Sequence, residues 1–237
     1  MLCKEHNTLS LKSAINNGAL RAAIFGANDG LVSNLSLIMA VAGAGTSAKI
    51  ILLTGISGLL AGAFSMAIGE FISMKIQRET AEKLINIERE EIEEFPEEEF
   101  RELQDIYIQK GIEPDKAKKL SKLIMDHKEL ALETHAREEL GLNTEELGSP
   151  IQAALSSFFS FAAGAIIPLL PYLIFNGNLA FFLSLVFSAL TLLIVGGALA
   201  NFTEKGRAYG AIRMLCLGAI AGFVTYVSGY FFQAIAG

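Results

Sequence analysis

From Ile50 to Gly69 the chain runs for twenty residues without a charge, and from Glu70 the same stretch continues into a dense ladder of glutamates. A helix needs about 20 apolar residues to cross ~30 Å of hydrocarbon. No Pro or Gly interrupts the sequence between Glu70 and Phe95-Pro96. The whole stretch therefore reads as one long helix that leaves a bilayer and carries carboxylates into water. Gly55, Gly58, Gly62, Ser65 and Gly69 recur at three- or four-residue steps. That spacing places them on one narrow helix face suited to close packing against a neighbour.

The charges divide the chain in the same way. Of all residues 52% are hydrophobic, and between Glu70 and Leu147 there are 22 acids against 12 bases, while the remainder holds three acids and seven bases. This is an apolar protein with an acidic soluble insert. The sign of the insert argues against nucleic acid as a partner, because phosphates require Lys/Arg patches, and favours cations. The two cysteines, Cys3 and Cys216, offer neither a disulfide framework nor a CxxC site; Cys216, in an apolar run, is expected to be a buried reduced hydrophobe. Met1 to Gly18 is polar and lacks the apolar core of a signal peptide.

Read in order, the chain gives five expected spans: Ala22–Ala48, whose only charge is Asp29, then Ile50–Gly69, Ile151–Phe175, Leu179–Thr203 and Met214–Gly237. Gly43-Ala44-Gly45-Thr46 forms a turn before the second. Pro168 and Pro171 should kink the third, as membrane helices allow when neighbours satisfy the freed carbonyls. Gly218 and Gly222 give the fifth a GxxxG packing face. Within the insert, Phe95-Pro96 ends the first helix. A second helix is expected from Glu97 to Lys110, stopped by Gly111. A third opens on Pro114 and runs to Leu140, with Gly141 as its stop and Leu120, Leu123, Ile124 and Leu130 as its apolar stripe.

The fold class is thus an all-α membrane protein of five transmembrane helices, with a three-helix domain inserted between the second and third spans. Its expected organisation is an N-terminal segment 1–21, spans one and two in 22–69, the soluble domain in 70–150 and spans three to five in 151–237. With the N-terminus in the cytoplasm, Lys4, Lys12, Arg21, Lys75, Arg78, Lys205, Arg207 and Arg213 all fall inside, as the positive-inside bias requires. The glutamate block is then cytoplasmic and the C-terminus lies on the opposite side. The host membrane can equally be a cell membrane or that of a vacuole-like organelle.

Asp29 carries the sharpest chemical signal, because a carboxylate inside an uncharged span is costly unless it faces a polar cavity or a partner. It reads as a cation- or proton-binding group; the alternative is that Asn28-Asp29 caps a helix starting near Gly30. Met66 supplies a thioether, a soft ligand suited to transition metals, and is otherwise a packing residue. Glu70, one turn on from Met66, is either an interfacial residue or the entrance to a path. In the insert, Glu88 and Glu91 sit one turn apart, as do Glu99 and Glu102, and folding at Phe95-Pro96 can bring the pairs together. Four oxygen donors suit Fe(II), Mn(II), Mg(II) or Zn(II). Nine of the fifteen residues from Glu88 to Glu102 are Glu, so a solvated acidic face is the competing reading. His135 and Glu139, four residues apart, have a spacing that permits joint ligation, whereas His127 is read as an exposed helix residue. No Glu-x-x-His occurs in the insert, which argues against a ferritin-like di-iron site.

Gly26-Ala27-Asn28-Asp29-Gly30-Leu31-Val32-Ser33-Asn34 and Leu60-Ala61-Gly62-Ala63-Phe64-Ser65-Met66 closely resemble segments of the vacuolar iron transporter family. So do Gly111-Ile112-Glu113-Pro114, Glu139-Leu140-Gly141-Leu142 and Pro168-Leu169-Leu170-Pro171-Tyr172. The resemblance implies five transmembrane helices, a cytoplasmic three-helix metal-binding domain and a homodimer with the path at the subunit interface. It also implies export of Fe(II), and often Mn(II) or other divalent metals such as Zn(II) and Co(II), from the cytoplasm in exchange for protons. No covalently bound cofactor is implied; the metal is substrate and domain ligand. Asp29 and Met66 fall on the family's transport aspartate and methionine, and Glu88, Glu91, Glu99, Glu102 and Glu139 on its soluble ligands. Two positions depart from the pattern. Gly58 stands where some members carry a second-span glutamate, and His135-Ala136 where others use methionines. The expected activity is proton-coupled export of divalent metal, and the rivals are a membrane-anchored metal-binding or oxidising protein and a passive metal channel.

Overall fold

The computed structural model describes residues 18–143, 147–200 and 206–236. Cys3, Lys4, Lys12 and Lys205 lie outside the described residues. All regular structure among the described residues is helical: α1 Gly18–Gly43, α2 Ala48–Glu94, α3 Pro96–Gln109, α4 Pro114–Met125, α5 Lys128–Glu138, α6 Pro150–Ile166, α7 Leu170–Ile174, α8 Gly177–Leu199 and α9 Arg207–Ala236. The chain divides into two compact units. One gathers α1, α2 through Ile72 and α6 to α9; the other, from Ser73 to Ser149, holds the remainder of α2 with α3, α4 and α5.

In the apolar unit, α1, α2, α8 and α9 are long and apolar enough to cross a membrane. The third expected span is divided instead into α6, of 17 residues, and α7, of five. The break has a chemical cause. Pro168 and Pro171 contribute no N–H, and through the break the backbone bonds shorten to i→i−3, from Ile167 to Gly164, Leu169 to Ile166 and Tyr172 to Leu169, which leaves the Ala165 and Pro168 carbonyls without helical donors. Two neighbours supply them: Asn34 Nδ2 on α1 donates to the Ala165 carbonyl at 2.6 Å, and Ser184 Oγ on α8 donates to the Pro168 carbonyl at 2.7 Å. Both side chains are buried.

α1 is the centre of this unit, packed against both α6 and α9. The contact is backbone on backbone. A Cβ at Gly30 would collide with the Phe161 carbonyl, one at Gly164 with the Ala27 carbonyl, and one at Gly229 on α9 with the Ala40 carbonyl. The small-residue stripe of α2 does pack closely against its neighbours, with side chains rather than backbone opposite it. Gly55, Gly58 and Gly62 receive the side chains of Leu169, Leu37 and Phe161, and Gly69 faces open space. In α9, likewise, Gly218 accepts Leu192 and Gly222 makes only ordinary contact. Cys216, expected to be buried, is exposed, because α9 turns its glycine face (Gly210, Gly218, Gly222, Gly229) inward and Cys216 lies two residues off that face. Leu35, Ile38, Met39, Ile51, Leu169 and Tyr172 form the core beneath.

The second unit follows its turn signals closely at two points. α2 ends at Glu94 and Pro96 opens α3. At the end of α3, Gly111 takes φ +91°; its N–H bonds the Ile108 carbonyl and that of Ile112 the Tyr107 carbonyl, a Schellman closure that favours glycine. The helix expected over 114–140 is two helices. His127 adopts an extended conformation (φ −126°, ψ 100°) between α4 and α5, with no Pro or Gly to announce it. The break reorients the buried face. α4 buries Ala117, Ser121 and Ile124, and α5 buries Ala131, His135 and Ala136, whereas Leu120, Leu123 and Leu130 of the expected stripe are exposed. Ile92, Leu103, Ile124 and Ala131 make the small core.

The backbone contacts of α1 give a direct test. Gly30→Ala and Gly164→Ala should each destabilise the protein by ~1–3 kcal/mol, the usual cost of overpacking, whereas Gly69→Ala, in open space, should be neutral or slightly stabilising. Thermal melts of the three variants in one detergent check this ordering.

Candidate metal centre

Three elements bring candidate ligands of the second unit together, and Glu88, Glu99 and His135 each stand one helical turn from a core residue. Glu88 precedes Ile92 on α2, Glu99 precedes Leu103 on α3, and His135 follows Ala131 on α5; Leu103 and Ala131 are fully buried. Because i and i+4 share a helix face, packing of the core side chains aims the ligands at one another.

Two overlapping groups result. Glu88, Glu99 and His135 place ligand atoms within 4.8 Å of one another, and so do Glu99, Glu102 and Glu139, with Glu99 shared. The first group is buried, while Glu102 and Glu139 are exposed. Glu91 belongs to neither group but lies near enough for its charge to act on both. His135 and Glu139 therefore fall in different groups, and His127 is exposed. Among the described residues, these positions bring together five of the six soluble ligands expected from sequence.

Both ring nitrogens of His135 face backbone carbonyls: Nδ1 lies 2.8 Å from the Ala131 oxygen and Nε2 3.3 Å from that of Glu99. Nε2 also lies 3.8 Å from the Glu99 Oε2, on the side where the carboxylates gather. The Glu88 side chain is 2% exposed, and its Oε1 has no hydrogen-bond partner. A buried carboxylate oxygen without a donor is costly; a proton or a cation relieves that cost. Burial pushes Glu88 up to about 7, reinforced by the Glu139 charge and opposed by His135. Glu99 is raised for the same first reason, burial, and Glu139, though more open to solvent, is raised by partial desolvation and by the neighbouring Glu102 charge. Carboxylates with one imidazole suit a borderline divalent cation such as Fe(II), Mn(II) or Zn(II).

The apolar unit contains a second constellation. Asp29, Ser33, Asn34, Leu37, Gly58, Gly62, Ser65, Met66 and Phe161 line a cavity of about 330 Å³. Asp29 lies in the interior of α1, not at a helix start, and one of its oxygens accepts from Ser33 Oγ at 2.7 Å. Asp29 and Met66 therefore share one space. Glu70 does not line it; its carboxylate is held by Arg21 at 3.3 Å. Gly58, the second-span position noted from sequence, lines the cavity, and so does Asn34, which was not singled out. An asparagine inside an apolar span was the available signal, since intramembrane polar groups are costly and usually functional.

Apolar helices of membrane-crossing length, together with a carboxylate–imidazole cluster able to hold a cation, define a multi-pass membrane protein that carries a candidate metal site. The VIT family model matches residues 20–230. The chain is 33% identical to the vacuolar iron transporter of Acanthamoeba castellanii over 92% of its length and 80% of that protein's. It is 31% identical to vacuolar iron transporter 1 of Arabidopsis thaliana over 87% and 83%, and 32% identical to the vacuolar iron transporter of Plasmodium falciparum over 89% and 81%. This chain belongs to the VIT family.

A metal ion held by this acidic cluster would compete with protons for the same oxygens. Above pH 4.5 the unfolded chain releases the proton that folded Glu88 keeps until about 7. Glu88 therefore contributes to stability fully below pH 4.5, and that contribution is lost as pH rises through about 7. Melting of the metal-free protein should fall over this window, and added Mn(II) should restore it. Calorimetric titration with Mn(II) should show apparent affinity falling about tenfold per unit below pH 7 for the Glu88 proton alone. Glu88→Gln should flatten the dependence.

Proposed function

We propose that this protein exports a divalent metal ion from the cytoplasm, iron first and manganese second, in exchange for protons. The observation that carries this reading is the meeting of Asp29 and Met66 in one cavity of an apolar helical unit. A carboxylate and a thioether together favour a transition-metal dication over Mg(II) or Ca(II). A carboxylate also holds either a proton or a cation, which is what exchange requires. The names of the related proteins, vacuolar iron transporters, point to the same substrate.

In this reading the soluble cluster of Glu88, Glu91, Glu99, Glu102, His135 and Glu139 captures the ion in the cytoplasm, Glu70 marks the inner mouth, and Asp29 and Met66 conduct it. The membrane is crossed five times, with α6 and α7 together forming the third span. The carbonyls freed between them have donors from Asn34 and Ser184, which makes a broken helix tolerable in hydrocarbon. The N-terminus and residues 70–150 face the cytoplasm and the C-terminus the other side. Two copies assemble, and the exposed apolar stripe of α2 (Leu53, Leu60, Phe64) is covered by the second copy or by lipid. The host is a cell membrane or a vacuole-like one.

In proteoliposomes, Fe(II) and Mn(II) flux should rise with an imposed proton gradient, and Asp29→Ala should abolish it while leaving metal binding by the soluble cluster intact. Flux indifferent to the gradient would make the protein a channel. Unchanged flux in Asp29→Ala would remove the cavity from the path.

A further inference from the structure

Asn34 is 2% exposed, and its two amide atoms have opposite fates. One lies 2.6 Å from the Ala165 carbonyl. A carbonyl only accepts, so that atom is Nδ2 and Oδ1 is turned the other way. Oδ1 has no hydrogen-bond partner. It faces Gly58, where an added Cβ would stand 3.1 Å from it and would collide with Leu37. Asn34 and Gly58 both line the cavity that holds Asp29 and Met66. A fully buried acceptor is thus left open beside a gap in the opposite helix.

The position of this oxygen sets its role. Asn34 is five residues beyond Asp29 on α1, about 7.5 Å along the axis at ~1.5 Å per residue. Gly58 lies eight residues before Met66 on α2. Asn34 therefore stands further from Arg21 and Glu70 than the Asp29–Met66 pair does. An ion moving away from Glu70 past that pair meets next an uncharged oxygen held rigid by its other half. An amide oxygen is a hard ligand without charge, able to replace a water of hydration while binding weakly enough to release.

We propose that the amide oxygen of Asn34 is the next ligand station for the translocated dication after Asp29 and Met66, a role that rests on the cavity being the transport path. The same amide ties off the broken end of α6, so the test separates ligand from cap. Asn34→Ala and Asn34→Leu lose both functions. Asn34→Asp keeps an oxygen but cannot donate to Ala165.

In Mn(II)-loaded proteoliposomes, the Ala and Leu variants should slow the saturated flux by about tenfold or more, the size expected for a lost metal-site partner. Their half-saturating Mn(II) concentration should stay near the parent's, and Mn(II) binding by the soluble cluster should not change. Asn34→Asp should keep flux within a few-fold of the parent. Equal loss in the Ala and Asp variants, tracking a lowered melting temperature, would make Asn34 only a cap and overturn the proposal. Parental flux in Asn34→Ala would overturn it as well, while Asp29→Ala, measured alongside, still reports whether the cavity conducts. If Asp29→Ala transports normally, the path itself is wrong and this station falls with it.

Discussion

Backbone carbonyls buried in an apolar interior have no water to turn to, and the rest of the apolar unit depends on how this chain meets that constraint after Ile166. Pro168 and Pro171 open the helix there. Asn34 and Ser184, from two different helices, supply the missing donors. For Asn34 to reach Ala165, α1 must approach α6 closely, and Gly26, Gly30 and Gly164 permit that approach. The same closeness brings Phe161 onto Gly62 of α2, so the wall of the cavity at Asp29 and Met66 is built from the same contacts that repair the break.

The soluble unit solves a different problem, the gathering of carboxylates against their mutual repulsion. Its core is small, and Leu103, Ile124 and Ala131 with Ile92 define it. Each ligand group sits one turn from one of these anchors, so hydrophobic packing opposes the electrostatic cost. That cost shows in Glu88, pushed up to about 7. A cation bound there would displace the held proton, so any metal binding by this cluster would depend on pH.

Much of this was legible in sequence because it depends on local chemistry. The uncharged run from Ile50 and the glutamates after Glu70 do form one helix, Ala48–Glu94. Pro96, Gly111, Pro168 and Pro171 act where backbone sterics require. Some of the residues that meet were also singled out from sequence: Asp29 and Met66, which share a cavity, are unusual in apolar helices, and His135, which meets Glu88 and Glu99, stands four residues before Glu139. Helix breaks without Pro or Gly were not legible: the extended His127 follows from α4 and α5 each turning its own small residues inward, a choice made by neighbouring elements. Nor could spacing show that the glycines of α2 receive side chains while Gly30 and Gly164 receive backbone, because periodicity gives a face and not what lies opposite it.

Sequence by itself therefore determined the membrane character, the acidic insert and the residue types able to hold a dication, all of which follow from composition and short-range sterics. Tertiary structure alone decided which of nine closely spaced glutamates converge, that Glu70 pairs with Arg21 while Asp29 and Met66 share a cavity, and that one oxygen of Asn34 remains open. Those outcomes depend on residues far apart in the chain meeting across helices, and a one-dimensional pattern carries no measure of that distance.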